Sequence, residues 1–173
     1  MLFRSIPGDM LAGIHVDHVA VAEAIRKVAY MINVPHAFTP EYPADETQSR
    51  PCKVPVIVNV YDGYMAGANA CDLAVDVEPA FDKISEMTFC HQSQIMEWLP
   101  WVGRHQMRMP RDLAEWAVGL RHRFQRQNRE VGIHSNRAHE VFNVTAWGEI
   151  PTVEQLLLDF PSLSLDYSRL QQM

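Results

Sequence analysis

The segment VPVIVNVY, residues 54–61, is the feature that most constrains the fold of this chain. It is almost continuously apolar and rich in β-branched residues, which favour extended structure. A strand that is apolar on both faces has to be covered on both faces, as the strands of parallel sheets are. The segment therefore predicts a buried parallel strand, and helices elsewhere in the chain are expected to cover it.

A first helix is predicted from Asp17 to about Asn33. Its apolar face is expected to contain the residues that recur at three- and four-residue steps, Val21, Ile25, Val28 and Ile32. Asp17 is a candidate cap for this helix, because a short acidic side chain accepts hydrogen bonds from the free backbone N–H groups of the first turn.

Two further helices are predicted in the middle of the chain. One begins near Pro79, which suits a first helical turn, and continues to about Trp98. Its stripe of residues at helical spacing is Phe81, Ile84, Thr88, His91, Ile95 and Trp98. The other runs from about Pro110 to Asn128, with an apolar face of Leu113, Ala117, Leu120 and Phe124.

The remaining segments alternate between strand and helix. Residues 73–77 and 139–147 have the pattern of strands, and a last short helix is predicted to begin after Thr152. Residues 34–55 contain five prolines and predict a long loop, which is a candidate substrate-side loop. This alternation favours an α/β layer architecture, and 173 residues fit a single domain covering 1–173.

Composition limits the classes of function. Apolar residues make up 47% of the chain, enough for a packed core, and the net charge of −6 argues against generic nucleic-acid binding. No apolar run approaches the ~18 residues of a membrane span. The three cysteines form no CxxC pair, which predicts neither a zinc ribbon nor a disulfide framework and favours a reducing cytoplasm.

The cluster His15-Val16-Asp17-His18 stands directly before the first predicted helix. A histidine at a helix start can be a zinc ligand whose direction the helix fixes, and a neighbouring histidine can point at the same cavity. An aspartate beside it can hold that histidine in one tautomer. The alternative interpretation is a helix cap with two solvated imidazoles.

Four segments, in a fixed order, add to this cluster: HVDHVAVAEAI (15–25), AYMINVPHAFTP (29–40), DVEPAFDKISEMTFCHQSQIMEWLPW (76–101) and AHEVFNVTAWGEIPT (138–152). Over about residues 13–160 the chain resembles the PIG-L / LmbE-like family of zinc-dependent de-N-acetylases. HVDH resembles the second signature of that family, His-Pro-Asp-His. DKISEMTFCHQSQ resembles its later helix, Lys-x-x-Ala-x-x-x-His-x-Ser-Gln.

The resemblance implies a Rossmann-like three-layer sandwich and specific roles for three residues. It implies that His18 is a zinc ligand and that His15 stabilises the oxyanion formed from the substrate carbonyl or protonates the leaving amine. It also implies that Asp17 orients His15. Val16 stands where the family usually has proline, which leaves these three side chains intact.

One departure from the family is larger. The first signature of the family, His-Pro-Asp-Asp, supplies two zinc ligands and the general base, and this sequence contains no Asp-Asp pair. A single protein ligand does not hold a catalytic zinc. We therefore expect the chain to be the back portion of a longer domain, incomplete at its N-terminus and inactive alone.

Other residues have a weaker rationale. His91 lies on the predicted apolar stripe, which favours a core histidine, while the family pattern implies a place for His91, Ser93 and Gln94 in or behind the substrate pocket. Cys90 next to His91 has the residue types of a thiolate nucleophile, but adjacent helical residues point apart. Eight arginines between Arg104 and Arg137 are expected to form a solvated face.

Two functions from different classes remain at this stage. The first is a fragment of a zinc-dependent hydrolase that removes an acetyl group from an N-acetylated amino sugar or glycoconjugate, a small-molecule substrate. The alternative is a non-catalytic sugar-binding or interaction protein that keeps the fold without the metal. The sequence leaves the acyl substrate, the physiological metal and the oligomeric state open.

Overall fold

The structure is a computed structural model that describes residues 2–3, 16–32, 34, 52–62, 70–102 and 109–170. The chain divides into two compact units. Unit 1 comprises Met1–Leu73, Val141–Pro161 and Ser168–Met173, and unit 2 comprises Ala74–Glu140 and Ser162–Tyr167. Most of the proline-rich loop predicted over residues 34–55 lies outside the described residues.

Most helices of the described residues lie within or overlap the segments that were predicted to be helical. They are α1 (Val16–Met31), α2 (Phe81–Phe89), α3 (Leu99–Val102), α4 (Leu113–Glu130) and α5 (Val153–Asp159). A 3-10 turn at Glu78–Ala80 precedes α2, and a π-helix at Ser93–Trp98 precedes α3. None of the helices in the described ranges has both the length and the apolar character that a membrane span needs.

Four strands form one sheet in the order β1-β2-β4-β3. They are β1 (Leu2–Phe3), β2 (Val58–Val60), β3 (Leu73–Asp76) and β4 (His139–Val144). β1 is parallel to β2, with Leu2 opposite Val58, whereas β2 is antiparallel to β4, with Asn59 opposite Asn143. The sheet is therefore mixed, and the α/β class is confirmed at this coarse level.

The strand predicted over residues 54–61 is shorter than expected. Ile57 and Val58 are buried as the apolar run predicts, but only Val58–Val60 forms a strand. Pro55 lacks the N–H that a ladder position needs. The carbonyls of Pro55 and Ile57 instead accept hydrogen bonds from the backbone N–H groups of Glu149 and Thr145, at 3.1 and 3.0 Å.

The inward face of α1 differs from the predicted one. Ala29 is buried against Ile57, and Ala22 and Ile25 pack beside them. The predicted face residues Val21 and Val28 remain exposed. Small alanine side chains let the helix approach the chain at Ile57 closely, so the predicted face is right at Ile25 and wrong at Val21 and Val28. The helix also begins at Val16, which puts Asp17 inside its first turn rather than at the cap.

The long helix predicted from Pro79 to Trp98 is interrupted. α2 ends at Phe89, and the chain continues through Cys90 into the π-helix. The hydroxyls of Ser85 and Thr88 donate to the carbonyls of Phe81 and Ile84, at 2.9 and 2.7 Å. Such bonds back to the preceding turn slightly destabilise and often bend a helix, and α2 ends directly after them.

Unit 2 has a core that the periodicity predicts well. Phe81, Leu120, Phe124 and Ala138 are buried together, with Ala117 packed against them. The N-cap of α4 is Asp112, whose carboxylate accepts a hydrogen bond from the N–H of Glu115 at 2.8 Å. In unit 1, Thr152 caps α5 as predicted, accepting from the N–H of Gln155 at 3.2 Å.

Candidate functional site

The histidine cluster stands at the head of α1, in unit 1. Asp17 is exposed in the first turn of the helix, where a carboxylate interacts favourably with the helix dipole. His18 follows it in the same turn, and its side chain lies outside what the structure describes, as does the whole of His15. The roles of His15, Asp17 and His18 therefore stay predictions.

The connection around α1 has the order of a βαβ unit. β1 and β2 are parallel neighbours, and α1 lies between them along the chain. The C-terminal half of α1 packs, through Ala29, on Ile57 just before β2 begins. In a βαβ unit the helix runs back from the carboxyl ends of the strands, so the head of α1 is expected at that edge. Ligands of α/β proteins bind outside the carboxyl ends of the strands.

Asp62 follows the carboxyl end of β2 and is only 5% exposed. In the sequence, the segment YDGYMAG favours a simple surface turn, and the less favoured interpretation is that Asp62 or Tyr64 reaches the pocket. The burial of Asp62 contradicts a solvated side chain at this position. A buried carboxylate at this edge of the strands is the kind of group that functional sites of α/β proteins use.

The described residues do not themselves form a metal centre. Among them, no three histidine, cysteine, aspartate or glutamate side chains come together in a way that would hold an ion. A catalytic zinc has three protein ligands. The donor set within the described ranges is therefore insufficient for zinc.

His91, Ser93 and Gln94 belong to unit 2 and are all exposed. His91 follows the end of α2, and Ser93 and Gln94 begin the π-helix. The prediction of a core histidine at position 91 is wrong, because the interruption at Cys90 changes the helical phase before His91. Single turns of π-helix are frequent at functional sites, so the predicted substrate-side role of these residues stays a prediction.

The three cysteines differ in their exposure. Cys71 is buried, and its burial raises the pKa of its thiol, whereas a reactive cysteine needs a lowered pKa. Cys52 and Cys90 are exposed, and none of the three forms a disulfide. The Sγ of Cys90 donates to the carbonyl of Glu86 within its own helix, at 3.4 Å.

The arginine-rich segment is only partly a solvated face. Arg111, Arg126 and Arg129 are exposed as predicted, and Arg104 and Arg108 lie outside the described residues. Arg121 is instead half-buried: its guanidinium lies 3.6 Å from the centroid of the Phe81 ring and binds the carboxylate of Glu78. The hydrogen bond from Arg121 lowers the pKa of Glu78, against the opposing effect of burial.

A second polar cluster in unit 2 surrounds the start of β4. Asn128 and His139 are buried, and Nδ1 of His139 lies 3.1 Å from the carbonyl of Arg137. The amide nitrogen of Asn128 donates to the carbonyls of Arg137 and Ser135 at 2.8 and 3.2 Å. These bonds satisfy carbonyls of the segment between α4 and β4, which is a structural role.

No family model, curated protein or solved structure matches this chain.

Two residues that the sequence did not single out, Arg26 and Trp147, are in contact in unit 1. Their separation along the chain leaves no local pattern from which the contact could have been predicted.

Proposed function

We propose that this chain is part of a metal-dependent hydrolase that removes an acetyl group from an N-acetylated amino sugar or glycoconjugate. The observation that supports the proposal is that α1 begins at Val16, with Asp17 in its first turn, in a connection between two parallel strands. Residues at such a position share the edge of the sheet at which α/β enzymes bind their ligands.

We also propose a Rossmann-like three-layer arrangement, of which this chain is the back portion. The parallel pair β1 and β2 with α1 between them supports it, because parallel neighbours need a crossover of this kind. β4 departs from a purely parallel pattern, because it lies between β2 and β3 and is antiparallel to β2.

The division of work in the proposal follows the chemistry of the three side chains. His18 contributes one ligand, and the other ligands come from residues outside the described ranges or from polypeptide other than this chain. A bound zinc would polarise the acetyl carbonyl and lower the pKa of a bound water. His15 donates a hydrogen bond to the developing oxyanion, and Asp17 holds His15 in the required tautomer and orientation.

A reducing compartment such as the cytoplasm is part of the proposal. Its support is the sequence, in which the three cysteines are scattered and form no CxxC pair.

The test uses the longest protein that the coding region encodes, purified with its metal, and measures acetate release from N-acetylglucosamine and its conjugates. We expect a rate that a chelator abolishes and zinc restores. His15→Gln should lower kcat by ~100-fold or more while metal content is retained, because it replaces the imidazole that Asp17 orients toward the oxyanion with a neutral amide. His122→Gln, which changes an exposed histidine on α4, is the matched control and should retain the rate.

Two results would contradict the proposal. One is a purified protein that releases no acetate from any of these substrates with zinc supplied. The other is an equal rate for His15→Gln and His122→Gln. Sugar binding that persists without metal or turnover would favour the non-catalytic alternative.

A further inference from the structure

An open pocket of about 410 Å³ lies in unit 1, between the C-terminal half of α1 and the turn that follows β4. Its walls, within the described residues, are Arg26, Lys27, Tyr30, Met31, Ala146 and Trp147. The volume falls in the range of small-molecule sites, roughly 300–1,000 Å³. Along α1, Arg26 is about 12 Å from His18 at 1.5 Å per residue, so this pocket lies away from the histidine cluster.

Both walls of the pocket are anchored on the same buried residue, Ile57. On the helix side, Ala29 packs against Ile57, with Ala22 and Ile25 beside it. On the turn side, the backbone N–H and the hydroxyl of Thr145 both donate to the carbonyl of Ile57, at 3.0 and 2.9 Å. The two walls are therefore held in a fixed relation before any ligand binds, which lowers the entropic cost of binding.

The turn is further fixed at Gly148. A Cβ at this position would collide with the backbone oxygen of Pro55 and would lie 3.1 Å from the backbone nitrogen of Ile57. The N–H of Glu149 donates to that same oxygen of Pro55 at 3.1 Å. This close approach sets the position of the neighbouring Trp147, whose indole forms one side of the pocket.

The charges of the pocket favour an anion. The guanidinium carbon of Arg26 lies 5.1 Å from the centroid of the Trp147 ring, a cation–π contact. In the described part of the chain, no carboxylate forms an ion pair with Arg26 or Lys27. A guanidinium positioned by an aromatic ring keeps its N–H donors for a carboxylate or phosphate. This concentration of positive charge stands out in a chain whose net charge is −6.

The rest of the lining favours a ligand with an apolar ring. Tyr30, Met31, Ala146 and the indole of Trp147 offer flat or apolar surface beside the two cations. A bare phosphate would leave this surface uncovered, whereas a ring attached to an anion would cover it and gain aromatic stacking.

We propose that this pocket binds a small organic anion in which a carboxylate or phosphate is attached to a ring. Arg26 and Lys27 bind the anionic group, and Trp147 and Tyr30 pack against the ring. The proposal does not depend on the deacetylase function, because it uses none of the residues of the histidine cluster.

The test is an NMR titration of the ¹⁵N-labelled chain, in which each of the four tryptophans gives one indole N–H signal. Loss of a signal in Trp147→Phe assigns the signal of Trp147. The probes are phenyl phosphate, glucose 6-phosphate, inorganic phosphate and glucose. Phenyl phosphate and glucose 6-phosphate both have a phosphate attached to a ring, and comparing them shows whether the pocket prefers an aromatic ring or a sugar ring.

We expect at least one of the two ring phosphates to shift the Trp147 signal saturably and at least tenfold more tightly than inorganic phosphate or glucose. Arg26→Gln should weaken that binding at least fivefold, whereas Arg129→Gln, an exposed arginine on α4, should leave it unchanged. Both arginines are exposed, so circular dichroism should show both variants folded. Absence of a saturable shift, equal affinity for inorganic phosphate, or binding that survives Arg26→Gln would overturn the proposal.

Discussion

Arg121 and Glu78 form a two-point ion pair in unit 2: Nη2 of Arg121 donates to Oε1 of Glu78 at 2.9 Å, and Nη1 donates to Oε2. Oε2 also accepts the backbone N–H of Ala138 at 2.8 Å. A single carboxylate therefore joins the turn before α2, the helix α4 and the start of β4. Because each bond is charge-assisted and partly shielded from water, we regard this pair as a main stabilising contact of unit 2.

Glu78→Gln should lower the free energy of unfolding by about 1–2 kcal/mol, since it removes the charge that Arg121 and Ala138 contact. The estimate is kept low because the two side chains remain 27% and 28% exposed. Urea denaturation at neutral pH measures the change. Glu130→Gln is the matched control: its partner Arg126 is at 3.9 Å and both are exposed, so a loss below about 0.5 kcal/mol is expected. Equal losses in the two variants would contradict this account.

The pH dependence of stability should have an acid limb set by Glu78 and Asp76. The hydrogen bond from Arg121 lowers the pKa of Glu78. Partial burial of Asp76 acts in the opposite direction, but the hydrogen bonds from Arg137 and from the backbone N–H of Glu78, together with nearby positive charge, outweigh it, so the pKa of Asp76 is lowered too. A group with a lowered folded-state pKa stabilises the fold at pH values above its unfolded pKa, which is about 3.9 for an aspartate and about 4.3 for a glutamate. That stabilisation is lost as the pH falls below the unfolded pKa and through the folded-state pKa. Urea midpoints measured between pH 3 and pH 6 should fall less steeply in Glu78→Gln than in the wild type.

Glu140 should have the opposite effect on stability. Burial raises its pKa, and the charge of Arg123 only partly offsets this. A raised folded-state pKa means that the folded protein holds the proton more tightly, so stability decreases as the pH rises above the unfolded value of about 4.3. Glu140→Gln removes the cost of burying the charge and should raise the urea midpoint at pH 8 more than at pH 4.5. A larger gain at pH 4.5 would contradict the burial of the carboxylate.

Gly148→Ala should destabilise the protein by about 1–3 kcal/mol, because the new methyl group meets backbone atoms of Pro55 and Ile57 that cannot move aside easily. Gly119→Ala provides the comparison. A Cβ at Gly119, inside α4, meets nothing within 4 Å, so alanine should stabilise the helix by about 0.5–1 kcal/mol. Thermal unfolding measures both changes, and a neutral Gly148→Ala would show that the turn is not held against residues 55–57.

How far the sequence predicts this fold depends on how local the determining interactions are. The cap at Thr152 and the buried positions Leu120 and Phe124 each follow from the local sequence of one helix. The interruption at Cys90 depends on hydroxyl bonds of Ser85 and Thr88, which helical periodicity does not detect.

The inward face of α1 was predicted correctly at Ile25 but wrongly at Val21 and Val28, for a different reason. Hydrophobicity alone selects Val21 and Val28, but the contact with Ile57 is made by Ala29. Whether a helix turns small or large residues inward depends on how closely its neighbour approaches, which is a tertiary property.

The candidate site divides in the same way. The cluster at His15–His18 is contiguous in the sequence and can be recognised there, and the burial of Asp62 is a tertiary result. The contact of Arg26 with Trp147 joins a helix to a turn that is far away along the chain, so no local sequence pattern predicts it.

The metal content of the purified protein tests the central claim, that His18 is a ligand, most directly. Inductively coupled plasma mass spectrometry of the longest protein that the coding region encodes should find about one divalent ion per chain in the wild type and in His122→Gln. His18→Gln should lose most of that ion while its circular dichroism spectrum remains that of a folded protein. A folded His18→Gln that retains the wild-type metal content, or a wild type that binds no metal, would contradict the account.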